Sequence, residues 1–173
     1  MLEVLIAILL LSFGMLSMAA MVSFVVQMPK LSGYRATAVN LASDYVDRIR
    51  ANPAGFSSGG YDKTSSYDSS RSVLAMKESD ACSYPSCDPT ALATMDAVAT
   101  EVAVRAQLPA GGMLMSRDTD AGTTTTDGNL WIMWQEPQSR APLNASTSDN
   151  CPAVVTQSYA SAMPRCLYVK FKL

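Results

Sequence analysis

The start of the chain is almost entirely apolar. No charged residue lies between Val4 and Met28. As a helix rising about 1.5 Å per residue, this stretch would extend roughly 38 Å, which is enough to cross a hydrocarbon core of about 30 Å. Lipid cannot bond backbone groups, so a helix is the state expected there. We therefore predict a transmembrane helix half over residues 1–28.

Glu3 is the one charged residue in this first stretch, and it leaves two interpretations open. A cleaved secretory signal would begin with basic residues, whereas here the first charge is acidic, which favours a retained span. A carboxylate beside lipid is costly unless it stays at the headgroup level or meets a cation. The span holds no Lys or Arg, so a cationic partner, such as a free terminal amine, would come from another chain.

A second helical pattern follows the span. Apolar residues recur at three- and four-residue steps and so share one helix face: Tyr34, Ala38, Leu41, Tyr45 and Ile49. Pro29 removes a helix hydrogen bond, so we expect a kink or break there, with Gly14 as a second weak point. Asn52-Pro53 should end the helix. Residues 29–53 are thus the predicted amphipathic half of one long helix.

Residues 54–173 form the predicted head, and they begin with a stretch rich in Gly, Ser, Tyr and Asp. This composition, over 54–72, predicts an irregular surface loop, in which we expect Tyr61 and Tyr67 to be solvated. A second helix is predicted over 88–108, capped by Asp88 or Thr90. Its expected buried stripe is Ala91, Met95, Val98, Val102 and Leu108.

Three strands are predicted after the second helix, at 113–117, 130–136 and 166–173. The last alternates apolar residues with Tyr168, Lys170 and Lys172, a period of two that gives one buried and one wetter face. Asp127-Gly128 is a dipeptide typical of hairpin turns. The pattern predicts an α+β fold in which a small antiparallel β-sheet packs on the amphipathic half of the long helix.

The four cysteines bear on both the fold and the compartment. Their loop-like positions predict two disulfides, Cys82–Cys87 and Cys151–Cys166, and hence an oxidising compartment. A zinc site is the alternative, but neither pair has the two-residue spacing of zinc knuckles. The basic residues after the span favour the opposite, cytoplasmic placement of the head: Lys30, Arg35, Arg48 and Arg50.

Composition excludes several kinds of chemistry. The chain has no histidine, so Ser-His-Asp triads, Cys-His pairs and His-containing metal sites are excluded. A formal net charge of −2 argues against nucleic-acid binding. Asp118, Asp120 and Asp127 could bind calcium, but a solvated loop is the better interpretation. We expect no catalytic residues, no cofactor and no metal.

Four segments resemble a known family. The N-terminal MLEVLIAILLLSFGMLSMA is similar to the N-terminus of type IV pilins, in which a leader ending in glycine is removed and a glutamate follows the new terminus. LASDYVDRIRANPAGF (41–56) resembles the minor pilins called PilV, as do LPAGG (108–112) and WIMW (131–134). Glu3 would be the fifth residue of a mature pilin, so we expect the leader and two residues to precede Met1.

The resemblance implies the type IV pilin fold and a structural role rather than an enzymatic one. It implies a minor pilin of the type IV pilus that primes assembly and helps to present an adhesin at the tip. The partners implied are other minor pilins, the major pilin, a PilY-class tip adhesin, the prepilin peptidase acting on the precursor, and the inner membrane. The head would be periplasmic before incorporation into the fimbrium.

Two alternatives to this function stay open. One is a minor pseudopilin of a type II secretion system, which shares the architecture. The other is a membrane-anchored periplasmic enzyme, which without histidine would need pairs of Asp, Glu or Lys that a sequence cannot locate.

Overall fold

A computed structural model describes residues 2–83, 85, 87–120, 123–136, 149–159 and 163–173. The chain divides into two compact units, Met1–Tyr34 and Arg35–Leu173. One helix, α1 (Leu2–Ala51), supplies residues to both units. It stays helical through Gly14 and Pro29, so the chain does not leave the helix at either position, and the kink stays a prediction.

The predicted end of α1 is confirmed, and so is its predicted buried face except at Tyr34, which is half-buried. The helix stops at Ala51, directly before Asn52-Pro53, because proline disfavours helical geometry in the residue before it. In the second unit its buried apolar residues recur at helical spacing: Ala38, Leu41, Ala42, Tyr45, Val46 and Ile49.

In the part of the chain that the structure describes, three short or medium helices follow α1. They are α2 (Pro53–Ser57), α3 (Pro89–Gln107) and α4 (Ala153–Ser158), and a 3₁₀ turn lies at Glu78–Asp80. Asp88 caps α3, since its Oδ1 accepts hydrogen bonds from the backbone N–H groups of Thr90 and Ala91, both at 2.8 Å. A side-chain oxygen at this position satisfies amides that the helix itself leaves unpaired.

The predicted buried stripe of α3 is wrong except at its end. Leu108 is buried, but the other four predicted residues are only half-buried. The buried positions are instead Ala93, Asp96, Ala97, Thr100, Val104 and Arg105. Small residues on this face let neighbouring elements approach closely. Asp96 and Arg105 are buried because distant residues bond to them, whereas the hydroxyl of Thr100 donates to the carbonyl of Asp96 within the same helix at 2.8 Å.

The three strands form one antiparallel sheet in the order β1-β2-β3. The strands are β1 (Gly112–Asp120), β2 (Thr123–Trp134) and β3 (Arg165–Lys172), so each predicted strand exists and the first two are longer than predicted. The outer edge of β1 is occupied, because Lys63 and Met115 exchange two backbone hydrogen bonds of 2.9 and 3.1 Å. β3 forms the other edge of the sheet.

The predicted hairpin at Asp127-Gly128 is wrong, since both residues lie inside β2. Gly128 pairs with Arg117 on one side and Phe171 on the other, and the chain has already reversed between the paired residues Asp120 and Thr123. A side chain at Gly128 would collide with the ring of Phe171. This glycine is therefore required by a ring from the next strand, not by a turn.

Buried apolar residues lie on both faces of the sheet. On one face lie core residues that alternate along the strands: Met113, Met115, Leu130, Ile132 and Phe171. On the other face lies a second cluster made of Tyr67, Ala110, Met133, Val155 and Cys166. The Cys151–Cys166 disulfide joins β3 to the segment that carries α4, so the expected wetter face is partly covered by the C-terminal region.

Candidate functional site

The most distinctive surface of the described chain is the N-terminal part of α1. Leu2–Val22 has a mean hydropathy of 2.5, and none of its most apolar window is buried. Its large apolar side chains, such as Leu9, Phe13 and Met18, are more than half exposed. Apolar area costs about 25 cal/mol per Å² when it faces water, so this helix needs lipid or other apolar helices around it.

The two hydroxyl groups within this apolar surface are bonded to their own helix. The hydroxyl of Ser12 donates to the carbonyl of Leu9, and that of Ser17 donates to the carbonyl of Gly14, both at 2.8 Å. Such bonds to preceding carbonyls remove the need for an outside partner. Those two hydroxyls therefore present no unsatisfied donor to lipid or to a neighbouring helix.

Glu3 lies in the first turn of α1 with its side chain exposed. A carboxylate is favourable there because the amide dipoles give a helix N-terminus partial positive charge. Among the described residues no ion pair involves Glu3. The pairing of Glu3 with an amine of another chain stays a prediction.

A polar network holds the C-terminal end of α1 to α3. The guanidinium of Arg48 donates to Asp96 at 3.1 Å, and the hydroxyl of Tyr61 donates to the other oxygen of the same carboxylate at 2.9 Å. Asp96 is buried, and a buried carboxylate is stable only when it is paired and hydrogen-bonded. Burial is the main cause that raises the pKa of Tyr61 to about 12.

Asn52 completes this network, and its hydrogen bonds show why an asparagine precedes Pro53. Its Nδ2 donates to the carbonyl of Pro89 at 2.7 Å and to the hydroxyl of Tyr61 at 3.3 Å. Its Oδ1 accepts from the backbone N–H of Gly55 at 3.1 Å and so caps α2. One side chain therefore fixes α1, α2 and the start of α3 together.

Tyr61 and Tyr67 are buried, so the expectation that they are solvated is wrong. Tyr61 packs edge-on against Tyr45, with ring centroids 5.9 Å apart, and Tyr67 packs edge-on against Tyr159 at 5.0 Å. Gly112 leaves room for this packing, because a Cβ there would come within 2.6 Å of the Cα of Tyr67.

Arg105 fixes the segment that follows Tyr67. Its guanidinium donates to the carboxylate of Asp68 at 2.6 Å and to the carbonyls of Ser70 and Ser66 at 2.8 and 3.0 Å. The Arg105 side chain is only 3% exposed, so these oxygens replace the water lost by its two terminal nitrogens. The hydrogen bond from Arg105 is the main cause that holds the pKa of Asp68 below its ordinary value.

A second buried carboxylate, Asp149, lies beside the C-terminal disulfide. Arg35 of α1 is 3.7 Å from it and Arg165 of β3 is 3.2 Å from it. Arg165 also lies 3.3 Å from Glu136. These pairs tie the segment before Cys151 to both the long helix and the last strand.

The three acidic residues considered for calcium lie on strands rather than in the expected loop, and two of them, Asp118 and Asp127, contact lysines. Lys170 lies 2.8 Å from Asp118 and 3.9 Å from Asp127, and the hydrogen bond from Lys170 is the main cause that lowers the pKa of Asp118. No group of candidate metal ligands occurs among the described residues. The structure joins Cys82 to Cys87 and Cys151 to Cys166.

Sequence reasoning missed the buried polar residues Asp96, Arg105 and Asp149. Each is a lone charged residue in a polar or amphipathic stretch, and no local pattern distinguishes it from a solvated one. Only the partners that each finds more than ten residues away explain its burial.

The comparisons with known proteins give one family. Residues 25–98 match the family model described as Tt1218-like, type IV pilin Tt1218. The matched residues contain the amphipathic part of α1, the Asn52 network and the first part of α3. No curated protein and no solved structure gave a significant match.

Proposed function

Since this chain is a type IV pilin in family and fold, we propose that it serves as a minor subunit of the pilus, of the PilV type. In this role it joins other minor pilins in a complex that primes assembly of the major pilin. The complex stays at the tip, where it helps to present a PilY-class adhesin. The subunit itself carries no catalytic function.

One observation carries this proposal. The exposed apolar helix Leu2–Val22 begins with an acid at Glu3 and is part of the same helix, α1, whose later residues are buried in the head. A purely anchoring helix needs no acid at the edge of lipid, where a charge is costly. A helix that must align with the similar helices of neighbouring subunits can use an acid to fix its position.

The mechanism follows from lateral packing of such helices. Apolar contact supplies area without fixing the axial register, because sliding one apolar helix along another changes little. Pairing Glu3 with the terminal amine of a neighbouring subunit fixes the register, and it does so strongly only where water is excluded. Prepilin peptidase would free that amine by removing a leader from the precursor in the inner membrane.

Three residue patterns support the PilV type. Asn52-Pro53 forms the joint between α1 and α3, as described above. In LPAGG, Gly112 makes room for Tyr67. In WIMW, the side chain of Trp134 is buried. The Nε1–H of Trp131 donates to the carbonyl of Asn150 at 2.9 Å. The family match names a type IV pilin and so does not favour the secretion pseudopilin.

The test is the substitution Glu3→Ala in the full chain, expressed in pilus-forming cells. We expect normal insertion into the inner membrane but at least about tenfold less protein in sheared fibres, because losing one partner of a buried ion pair costs about 3–5 kcal/mol. Ser12→Ala is the matched control, since it removes a polar group of the same helix that is bonded internally. Fibre incorporation of Glu3→Ala at the wild-type level would contradict the proposal.

A further inference from the structure

The fold holds the cysteines of the C-terminal disulfide close together. Cys166 is 2% exposed, belongs to the second cluster and lies on β3, which pairs with β2 along its length. The segment before Cys151 is held by Asp149, whose carboxylate lies 3.2 Å from the guanidinium of Arg165. These contacts do not need the bond between the sulfurs, so they keep the two cysteines together after reduction. Thiols held at a high effective concentration favour the disulfide.

The Cys82–Cys87 disulfide, called the clip below, is more accessible. Both of its cysteines are half-buried, and the described residues beside them, Ala81, Ser83 and Asp88, are exposed. Thiol–disulfide exchange requires an attacking thiolate to reach one sulfur, so its rate depends on access. Exposed disulfides are also the more readily reduced ones.

Apart from the clip, only weak contacts attach the exposed stretch 73–83 to the head. Within the described chain, the hydrogen bonds of this stretch join its own members. The backbone N–H groups of Asp80 and Ala81 donate to carbonyls three residues earlier, at 3.0 and 3.2 Å, and the N–H of Lys77 donates to the Asp80 carboxylate at 3.0 Å. The 3₁₀ turn contacts α3 and Leu74 is half-buried, so after reduction these packing contacts are what remains.

The parts of the head on either side of the stretch do not depend on the clip. Asp88 caps α3 with its own carboxylate, and the carbonyl of Pro89 accepts from Asn52 at 2.7 Å. Before the stretch, the carbonyl of Ser70 accepts from Arg105 at 2.8 Å. Both parts are therefore fixed without either cysteine of the clip.

Opening the clip changes how far the stretch can reach. The Cα atoms of Cys82 and Cys87 are 5.1 Å apart in the closed clip. Five residue steps of extended chain span up to about 17 Å. Residues 73–83 can therefore move up to about 12 Å farther from the start of α3 when the clip is open.

We propose that the clip is a thiol–disulfide exchange site, which an external dithiol opens while Cys151–Cys166 stays closed. A thiolate of the dithiol attacks one sulfur of the clip, which breaks the clip, forms a mixed disulfide and releases the other cysteine as a thiolate. The second thiol of the dithiol then attacks the mixed disulfide. Both cysteines end as thiols that carry the two electrons and two protons of the dithiol, which becomes a disulfide.

The open clip releases residues 73–83 as a longer arm on a head that stays folded. In an oxidising compartment without such a dithiol, the clip stays closed. The proposal uses only the head and does not depend on the role as a minor pilin.

The first test equilibrates the full chain in micelles with a series of dithiothreitol concentrations, alkylates the free thiols and identifies them by peptide mass spectrometry. We expect Cys82 and Cys87 to be modified at a dithiothreitol concentration at least tenfold below that for Cys151 and Cys166, which are the control within the same molecule. The tryptophan fluorescence of the folded head should not change over that range. Modification of both pairs at one concentration, earlier modification of the C-terminal pair, or unfolding together with opening would overturn the proposal.

The second test measures hydrogen exchange of the Asp80 and Ala81 amides, which are bonded in the 3₁₀ turn. So short a turn is unstable without outside support, so we expect both amides to exchange at least tenfold faster once the clip is open. Cys82→Ser with Cys87→Ser should show the fast exchange without dithiol, and Cys151→Ser with Cys166→Ser should keep the wild-type response. Equal exchange with the clip open and closed would show that the clip does not hold the stretch.

Discussion

Buried charges are the residue-scale feature that gives the head its specific arrangement. Arg105 and Asp96 are both buried, and each is bonded by groups from distant parts of the chain. Leaving such a charge unpaired costs several kcal/mol, so the segments that carry the partners are held in place. The tyrosines Tyr61 and Tyr67 become buried for the same reason, because the loop around them is tied to α3.

The Asp68–Arg105 pair predicts a dependence of stability on pH. The pKa of Asp68 is lowered in the folded protein, so its contribution is fully present above the unfolded pKa of about 3.9. It is lost as the pH falls through the lower, folded pKa. Asp68→Asn should cost about 1 kcal/mol at pH 7, since the Asp68 side chain is 52% exposed and water weakens the pair.

The measurement is urea unfolding of the full chain in micelles, followed by tryptophan fluorescence from the head. The difference between wild type and Asp68→Asn should shrink as the pH drops below about 4. Asp47→Asn is the control, because its partner Arg50 is exposed and such pairs contribute little. A difference that stays constant from pH 7 to pH 3 would show that the charge of Asp68 is not what stabilises the segment.

At the scale of elements, the sequence predicts those helix boundaries that depend on residues adjacent in the chain. The end of α1 follows from Asn52-Pro53, and the start of α3 follows from a capping aspartate, because both depend on neighbours in the chain. The buried face of α3 and the place of Gly128 could not be predicted in this way. Asp96 can be buried because Arg48 and Tyr61 bond to its carboxylate. Position 128 must be glycine because the ring of Phe171 occupies the space of a Cβ. These partners are distant in sequence from the residues they affect.

Gly128→Ala tests this explanation of the strand glycine. Its new Cβ would overlap the ring of Phe171, which packs against Phe56 with ring centroids 6.0 Å apart. We expect a loss of about 1–3 kcal/mol in the free energy of unfolding, as for other overpacked cores. Gly33→Ala is the control for adding a Cβ where nothing lies within 4 Å, and we expect no loss of stability there, because alanine favours the helical backbone of α1 more than glycine does. Equal stability of Gly128→Ala and wild type would refute the packing argument.

At the scale of the whole molecule, two features gave opposite expectations about the compartment of the head. Basic residues after the span favour the cytoplasm, while disulfides need an oxidising compartment. The structure pairs all four cysteines, and in the proposed pilin role the head is periplasmic. A basic leader before the span, as in pilin precursors, would remove the conflict because it would outweigh the basic residues that follow.

The oxidation state of the cysteines in cells decides between these orientations. We expect alkylation of intact cells to leave all four cysteines of the full chain unmodified until a reductant is added, whereas blocking periplasmic dithiol oxidation should expose them. Cys151→Ser with Cys166→Ser should lower stability by about 3 kcal/mol, because that disulfide closes a 15-residue separation. The Cys82 and Cys87 pair closes a separation of only 5, so its removal should cost less. Reduced cysteines in cells with normal dithiol oxidation would place the head in the cytoplasm and contradict the periplasmic role.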